Sequence, residues 1–257
     1  MPDDIFHLEE QKLLTKVSSA YYMAPVLKRL RMFIEKKKNK KQAWKEAFNH
    51  IHDFLTESEH DVRNILQKRQ KEGRIRDISQ AMKRIAGHAF SHIVVFLFLQ
   101  NKKRNMVAEN IFITDNVKKP SFKDIATIHI SGQMQKPDID IIVFKRLAGN
   151  QIGRCLFLSL KTSLRERAGQ TYKWKLLLEI ATTDNPIKTK YHITYNKRNS
   201  IPLMCFATTN FYDEIHAPQQ KGMLAFFDKT FIAKPIEEKP LIAPLAEFIT
   251  FVNENLT

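Results

Sequence analysis

The chain changes character once, near residue 110, and that change limits its possible folds more than anything else in it. From residue 9 to residue 105 glycine is nearly absent, and charged residues alternate with apolar ones at helical spacing. Trp44, Phe48, Ile51, Phe54 and Leu55 recur every three or four residues, which puts them on one face of a helix. A second helical segment, Ile78 to Gln100, ends in the apolar run Ile93–Leu99. A helix that is apolar nearly all round has to be buried, so this one is expected to lie against a sheet. Beyond residue 110 short β-rich runs appear: Ile111–Thr114, Ile125–Ser131, Ile139–Lys145, Cys155–Leu160, Leu203–Thr208 and Met223–Phe231. Polar or turn-forming residues separate most of them. A helical segment, Leu164–Ala181, stands between the fourth and fifth runs, and Leu241–Asn255 is amphipathic. This order predicts an α/β fold with a mixed central sheet flanked by helices, preceded by a helical N-terminal region. The expected division is a helical region over 1–77 and a core over 78–257, or one continuous domain.

The charge balance narrows the partner. Lys and Arg number 42 against 27 Asp and Glu, a formal net charge of +15. That excess attracts a polyanion; nucleic acid is the usual one, and an anionic membrane surface is the rival. No uninterrupted apolar run reaches the roughly 18 residues of a membrane span, and residues 1–10 are acidic, unlike a signal peptide. Cys155 and Cys205 sit in apolar runs and read as small buried residues. A cytoplasmic protein without a membrane partner is therefore expected. The basic block Glu35–Lys41 reads first as solvated surface, with contact to DNA phosphates as the minority reading.

Two stretches carry chemistry. Lys136-Pro137-Asp138-Ile139-Asp140 opens a predicted strand, Pro137 suiting its first position. Asp138 and Asp140 are two apart and are expected on one face, with Ile139 and Ile141 on the other. Two carboxylates so placed need a partner, either a divalent metal or a cation. The next strand is apolar until Ser159 and Lys161, which also share a face. A lysine there can hold or activate a water for attack on phosphorus, or balance charge in the pentavalent intermediate. Hard oxygen ligands without a histidine or thiolate cluster suit magnesium better than zinc.

A Pro-Asp pair followed about twenty residues later by a strand ending in x-Lys resembles the PD-(D/E)xK nuclease superfamily. The resemblance implies a restriction-endonuclease-like core and a Mg2+ cofactor. It makes Asp138 a metal ligand and Lys161 the catalytic lysine, with Ser159 standing where the acidic residue usually sits. The following run, Thr162-Ser163-Leu164-Arg165-Glu166-Arg167-Ala168-Gly169-Gln170, resembles the branch of type II restriction enzymes that reads CCGG-like or CCNGG-like sites. That branch tolerates a small residue before the lysine, and an arginine–acid–arginine cluster on the next helix reads base edges. Arginine forks match guanine, and a carboxylate accepts from cytosine N4. Arg165, Glu166, Arg167 and Gln170 are the matching positions. Ser163-Leu164-Arg165-Glu166 is also a capping box, so Glu166 has a competing helix-capping role.

The segment Arg84–Ile93 resembles the helix preceding the catalytic sheet in such nucleases, with Ser91 in place of the usual glutamate. In the CCGG-like branch the missing acid returns from the helix after the lysine. Here that position, fourteen residues on, is Lys175, and Glu179 is the nearest acidic candidate, one helical turn further. Glu179 and Asp140 are thus secondary metal-ligand candidates beside Asp138. The implied enzyme is a homodimeric type II restriction endonuclease cutting double-stranded DNA to 5′-phosphate and 3′-hydroxyl ends. It would belong to a system with a cognate DNA methyltransferase, without a stable complex. The alternatives are a structure-specific repair or recombination nuclease of the same superfamily, and a non-catalytic DNA-binding protein. No glycine-rich phosphate loop or serine-hydrolase motif is present, and no HExxH surrounds His88 and His92.

Overall fold

The structure, a computed structural model, describes residues 5–163, 165–196, 201–211, 218–236 and 241–257, with backbone alone for Ile5 and residues 165–168. It opens with helices α1 (Ile5–Ser19), α2 (Met23–Lys36), α3 (Lys40–Glu46), α4 (Ile51–Glu57), α5 (Glu59–Lys71) and α6 (Ile78–Lys102). Local chemistry starts two of them. Asn39 accepts a hydrogen bond from the Gln42 N–H before α3, and Asp77 accepts one from the Gln80 N–H before α6. Strands β1 (Ile111–Thr114), β2 (Ile128–Ile130), β3 (Gln133–Gln135), β4 (Ile141–Arg146) and β5 (Ile152–Lys161) follow. Then come α7 (Arg165–Thr182), α8 (Pro186–Lys190), β6 (Ile193–Thr194), β7 (Leu203–Thr208), α9 (Pro218–Leu224), β8 (Lys229–Ile232), β9 (Ala243–Pro244) and α10 (Glu247–Leu256).

Among the described residues, the main sheet has the order β1-β4-β5-β7-β8-β9 and is mixed. β1, β4 and β5 pair antiparallel, and β5, β7, β8 and β9 pair parallel. The α/β class with a mixed central sheet is as expected. A small second sheet, β3-β2-β6, lies apart. Its hairpin turns at Ser131 and Gly132, whose φ values of 47° and 80° suit a two-residue turn.

Alternation along β5 sorts the core into two layers. Leu156, Leu158 and Leu160 join Val17, Phe48, Phe90 and Phe98 on the side of the N-terminal helices. Cys155 and Phe157 join Trp174, Leu178 and Phe206 on the side of α7. By the same alternation Ser159 and Lys161 face α7. Helix α6 meets the sheet as expected, with Phe90, Ile93, Val94, Val95, Leu97 and Phe98 fully buried. By length and composition α6 could cross a membrane, but half of its apolar window is buried inside the protein. Cys155 and Cys205 are buried and unpaired, and burial pushes the Cys155 thiol up to about 12.

Two segments depart from expectation. The run Met223–Phe231 is not one strand: α9 ends at Leu224 and β8 begins at Lys229. Its apolar side chains Leu224 and Phe227 serve the α7 layer, and the Phe226 ring lies 4.9 Å from Tyr172, so packing overrides strand propensity. β3 and β6 were not expected either, since three exposed polar-flanked residues and a two-residue pair carry no periodicity.

One half-buried histidine gives a stability test. His92 Nδ1 lies 3.1 Å from the Tyr22 hydroxyl. Burial, aided by Lys16 and His88 and opposed by Asp115, pushes its pKa down to about 4. The unfolded chain takes the proton first, so stability is lost as pH falls from 6.5 to about 4. The ceiling on this loss is about 3 kcal/mol, at roughly 1.4 kcal/mol per pH unit, reduced because the ring is partly exposed. His92→Gln should flatten the fall in melting temperature across that window; a profile identical to wild type refutes it.

Candidate active site

Antiparallel pairing of β4 with β5 sets Ile141 opposite Leu158, so the segment entering β4 lies beside the residues that end β5. The Asp140 N–H donates to the Leu158 carbonyl at 3.2 Å, which carries the pairing one residue past β4. Asp138 and Asp140 precede the strand; they are not in it. The expectation that Ile139 and Ile141 share a face fails for that reason: Ile139 packs in the α7 layer and Ile141 in the opposite one. The chain bends at Asp140, and both carboxylates converge on one lysine.

Lys161 Nζ lies 3.0 Å from Asp138 Oδ2 and 3.0 Å from Asp140 Oδ2. The lysine side chain is 6% exposed, against 51% for Asp138 and 31% for Asp140. A buried ammonium is costly unless paired, and here two carboxylates pair it. Asp140 Oδ2 also accepts the Leu160 N–H at 2.7 Å. One carboxylate oxygen therefore holds both the strand end and the lysine. Asp138, half exposed, faces solvent and is the more available of the two.

Ser159 is buried, its hydroxyl 3.0 Å from that of Thr171 on α7. It anchors the helix to the strand two residues before Lys161. Glu179 is placed elsewhere. It lies 2.7 Å from Lys175 Nζ, which also sits 3.0 Å from both oxygens of Asp228. Asp228 Oδ2 in turn accepts the Met204 N–H at 2.6 Å. Met204 is paired with Phe157, four strand residues before Lys161, or about 13 Å at roughly 3.3 Å per residue. Helix α7 thus runs back along the sheet, and its acid arrives at the wrong end to join Asp138. Burial pushes the Lys175 pKa down, but hydrogen bonds and charge from Glu179 and Asp228 outweigh it, and the net direction is up.

The recognition candidates Arg165, Glu166 and Arg167 stand in the first turn of α7, four to six residues after Lys161; their side chains lie outside the described residues. Gln170 is exposed on the same helix. Among the described residues no group of three or more His, Cys, Asp and Glu could hold a metal. The donors on offer are the two carboxylates beside Lys161. Two oxygens fit magnesium, which keeps several waters and commonly takes one or two protein carboxylates with substrate phosphate supplying the rest. Sequence reasoning missed the Thr171 and Asp228 contacts. A lysine at 175 on a helix otherwise covering an apolar layer was the available signal, since a buried lysine demands carboxylates.

Residues 113–255 match the sequence family described as BsaWI restriction endonuclease type 2. That stretch runs from β1 to α10 and leaves α1 to α6 outside it. A protein of Methanocaldococcus jannaschii named "Putative type II restriction enzyme MjaVIP" is 27% identical over 168 residues, covering 61% of this chain and 74% of the relative.

Proposed function

This chain belongs to the BsaWI restriction endonuclease type 2 family, and on that premise we propose that it cuts both strands of double-stranded DNA at one sequence, with magnesium, leaving 5′-phosphate and 3′-hydroxyl ends. The observation that carries the reading is Lys161, buried at a strand end with Asp138 and Asp140 each 3.0 Å from its ammonium.

Asp138, with Asp140 behind it, would hold the ion. Bound magnesium lowers the pKa of a coordinated water and polarises a phosphoryl oxygen. Lys161 orients the attacking water and offsets the negative charge that develops on the phosphorus oxygens. Asp140 keeps the lysine and the strand end in register through its shared oxygen. The short link between Lys161 and α7 ties this chemistry to recognition. Arg165 and Arg167 suit guanine edges, Glu166 suits cytosine N4, and Gln170 supplies a further amide on the exposed side. A two-fold dimer would present two such sites to a palindromic sequence, one for each strand.

The test is a digest of plasmid DNA with magnesium, followed by sequencing of the ends. Discrete bands with 5′-phosphate ends at one recurring sequence are expected. A smear removes the claim of sequence specificity, and intact DNA at stoichiometric enzyme removes the nuclease reading.

A further inference from the structure

Helix α6 packs against the face of the sheet opposite to α7. Near its C-terminal end Lys102 lies over the Phe112 ring and pairs with Glu10 at 2.7 Å, whose other oxygen accepts the Ile113 N–H. Ten residues earlier, His92 lies within the field of Lys16 and Asp115, themselves 2.6 Å apart. Asp115 follows β1 directly, one step past Thr114, which pairs with Ile142. The helices before the α5–α6 corner reach the edge that holds Lys161: the His52 N–H at the start of α4 donates to the Ala233 carbonyl, the Ala233 N–H donates to the Thr208 carbonyl, and Thr208 pairs with Lys161.

That corner is strongly basic. Residues 68–84 contain seven Lys and Arg (Lys68, Arg69, Lys71, Arg74, Arg76, Lys83 and Arg84) against Glu72 and Asp77. Both acids are engaged: Glu72 with Arg74 at 3.2 Å, and Asp77 as the cap of α6. Lys71, Arg76, Lys83 and Arg84 are exposed and have no carboxylate partner among the described residues. Their spacing is held from beneath, since Arg69 lies 4.2 Å over the Tyr21 ring and Gln70 Nε2 donates to the Arg76 carbonyl at 2.9 Å. By contrast, in the Glu35–Lys41 block Lys37 pairs with Glu46 and Lys40 donates to the Ile34 and Glu35 carbonyls.

We infer that the α5–α6 corner is a second DNA contact, gripping the sugar–phosphate backbone of the duplex that flanks the cut site. The inference rests on the nuclease reading for the position of the DNA. It assigns a task to helices outside the stretch shared with the BsaWI family. Unpaired cations gathered on a rigid corner repel one another, and a polyanion crossing the adjacent strand ends relieves that repulsion. The contact reads no bases; it adds affinity that depends on salt and on duplex length.

The test compares full-length protein with Lys71→Gln/Arg76→Gln/Lys83→Gln/Arg84→Gln, measuring affinity for a duplex with long flanks and one trimmed to the site, across a salt series. Each lost phosphate contact flattens the slope of log K against log salt by about 0.9, so the variant should be shallower by about two to four. It should also lose the advantage of long flanks while keeping the same cut sequence. Because the four side chains are exposed, its melting temperature should match wild type. Should the quadruple variant melt early, Arg76→Gln and Lys83→Gln alone should each flatten the slope by about one. A wild-type slope in a folded variant overturns the contact while leaving the nuclease reading intact. Wild-type protein that binds with this steep slope but never cuts overturns the nuclease reading and leaves the contact. A flattened slope seen only with an acidic protein, and not with duplex, overturns DNA as the occupant.

Discussion

Lys161→Ala is expected to slow DNA cleavage by about a thousandfold or more while leaving binding to the same duplex nearly unchanged. Removal of one preorganised charge from a reacting centre typically costs about 10²–10³ in rate, and loss of water orientation adds to it. The side chain is 6% exposed and meets two carboxylates, so no neighbouring cation among those contacts can replace it. The fold should survive. Asp140 still accepts the Leu160 N–H, and Asp138 is half exposed, so solvent takes over its charge. Binding should survive because the base-reading candidates stand on α7. Lys161→Arg is not expected to rescue, since a planar fork differs in reach and hydration from a compact ammonium. Single-turnover cleavage beside equilibrium binding separates the two effects. Alanine cleavage within tenfold of wild type would sink the role given to Lys161.

Asp228→Ala is expected to destabilise the fold by about 1–3 kcal/mol, the cost of leaving a buried cation and a backbone N–H short of an acceptor, held to that range because Asp228 is itself partly exposed. The substitution leaves Lys175, 7% exposed, with only Glu179, which is half exposed. It also strands the Met204 N–H at the start of the parallel strands. Lys175→Met should be milder, because an apolar chain of similar length fills the space and Asp228 keeps its backbone partner. The pair also sets a pH signature. The Lys175 pKa is raised above its ordinary 10.5 in the fold, so its contribution is complete below 10.5 and is lost only as pH rises through the higher folded value. Chemical denaturation of wild type and both variants at neutral pH provides the check. Equal destabilisation by the two substitutions, or a loss under about 1 kcal/mol for Asp228→Ala, would show that the cluster does not hold α7 to the sheet.

Much of the architecture was legible along the chain because its signals are local. Ile111–Thr114 and Leu203–Thr208 carry enough β-branched and apolar residues to define β1 and β7 at their observed bounds. The apolar run in α6 required burial and is buried. Asp138 and Lys161 stood out because carboxylates and a lysine at strand ends need a partner, and in the structure they are partners. What eluded reading depended on neighbours distant in sequence. Ser159 meets Thr171 across the strand–helix interface, and Lys175 meets Asp228 across 53 residues. The axial position of α7 decides that Glu179 lies away from Asp138, and no periodicity encodes an axial position.

The sequence by itself determined the α/β order of elements, the basic character of the chain, and the two residue types that face each other at the candidate site. These follow from composition and spacing, which act over a few residues. Only the tertiary structure decided that Asp140 shares one oxygen between a strand end and Lys161, and that α4 begins at the strand ends beside Lys161. Those outcomes depend on sheet register and on where the N-terminal helices dock. Register and helix placement are set by how whole layers bury their apolar faces, a condition that no short stretch of sequence contains.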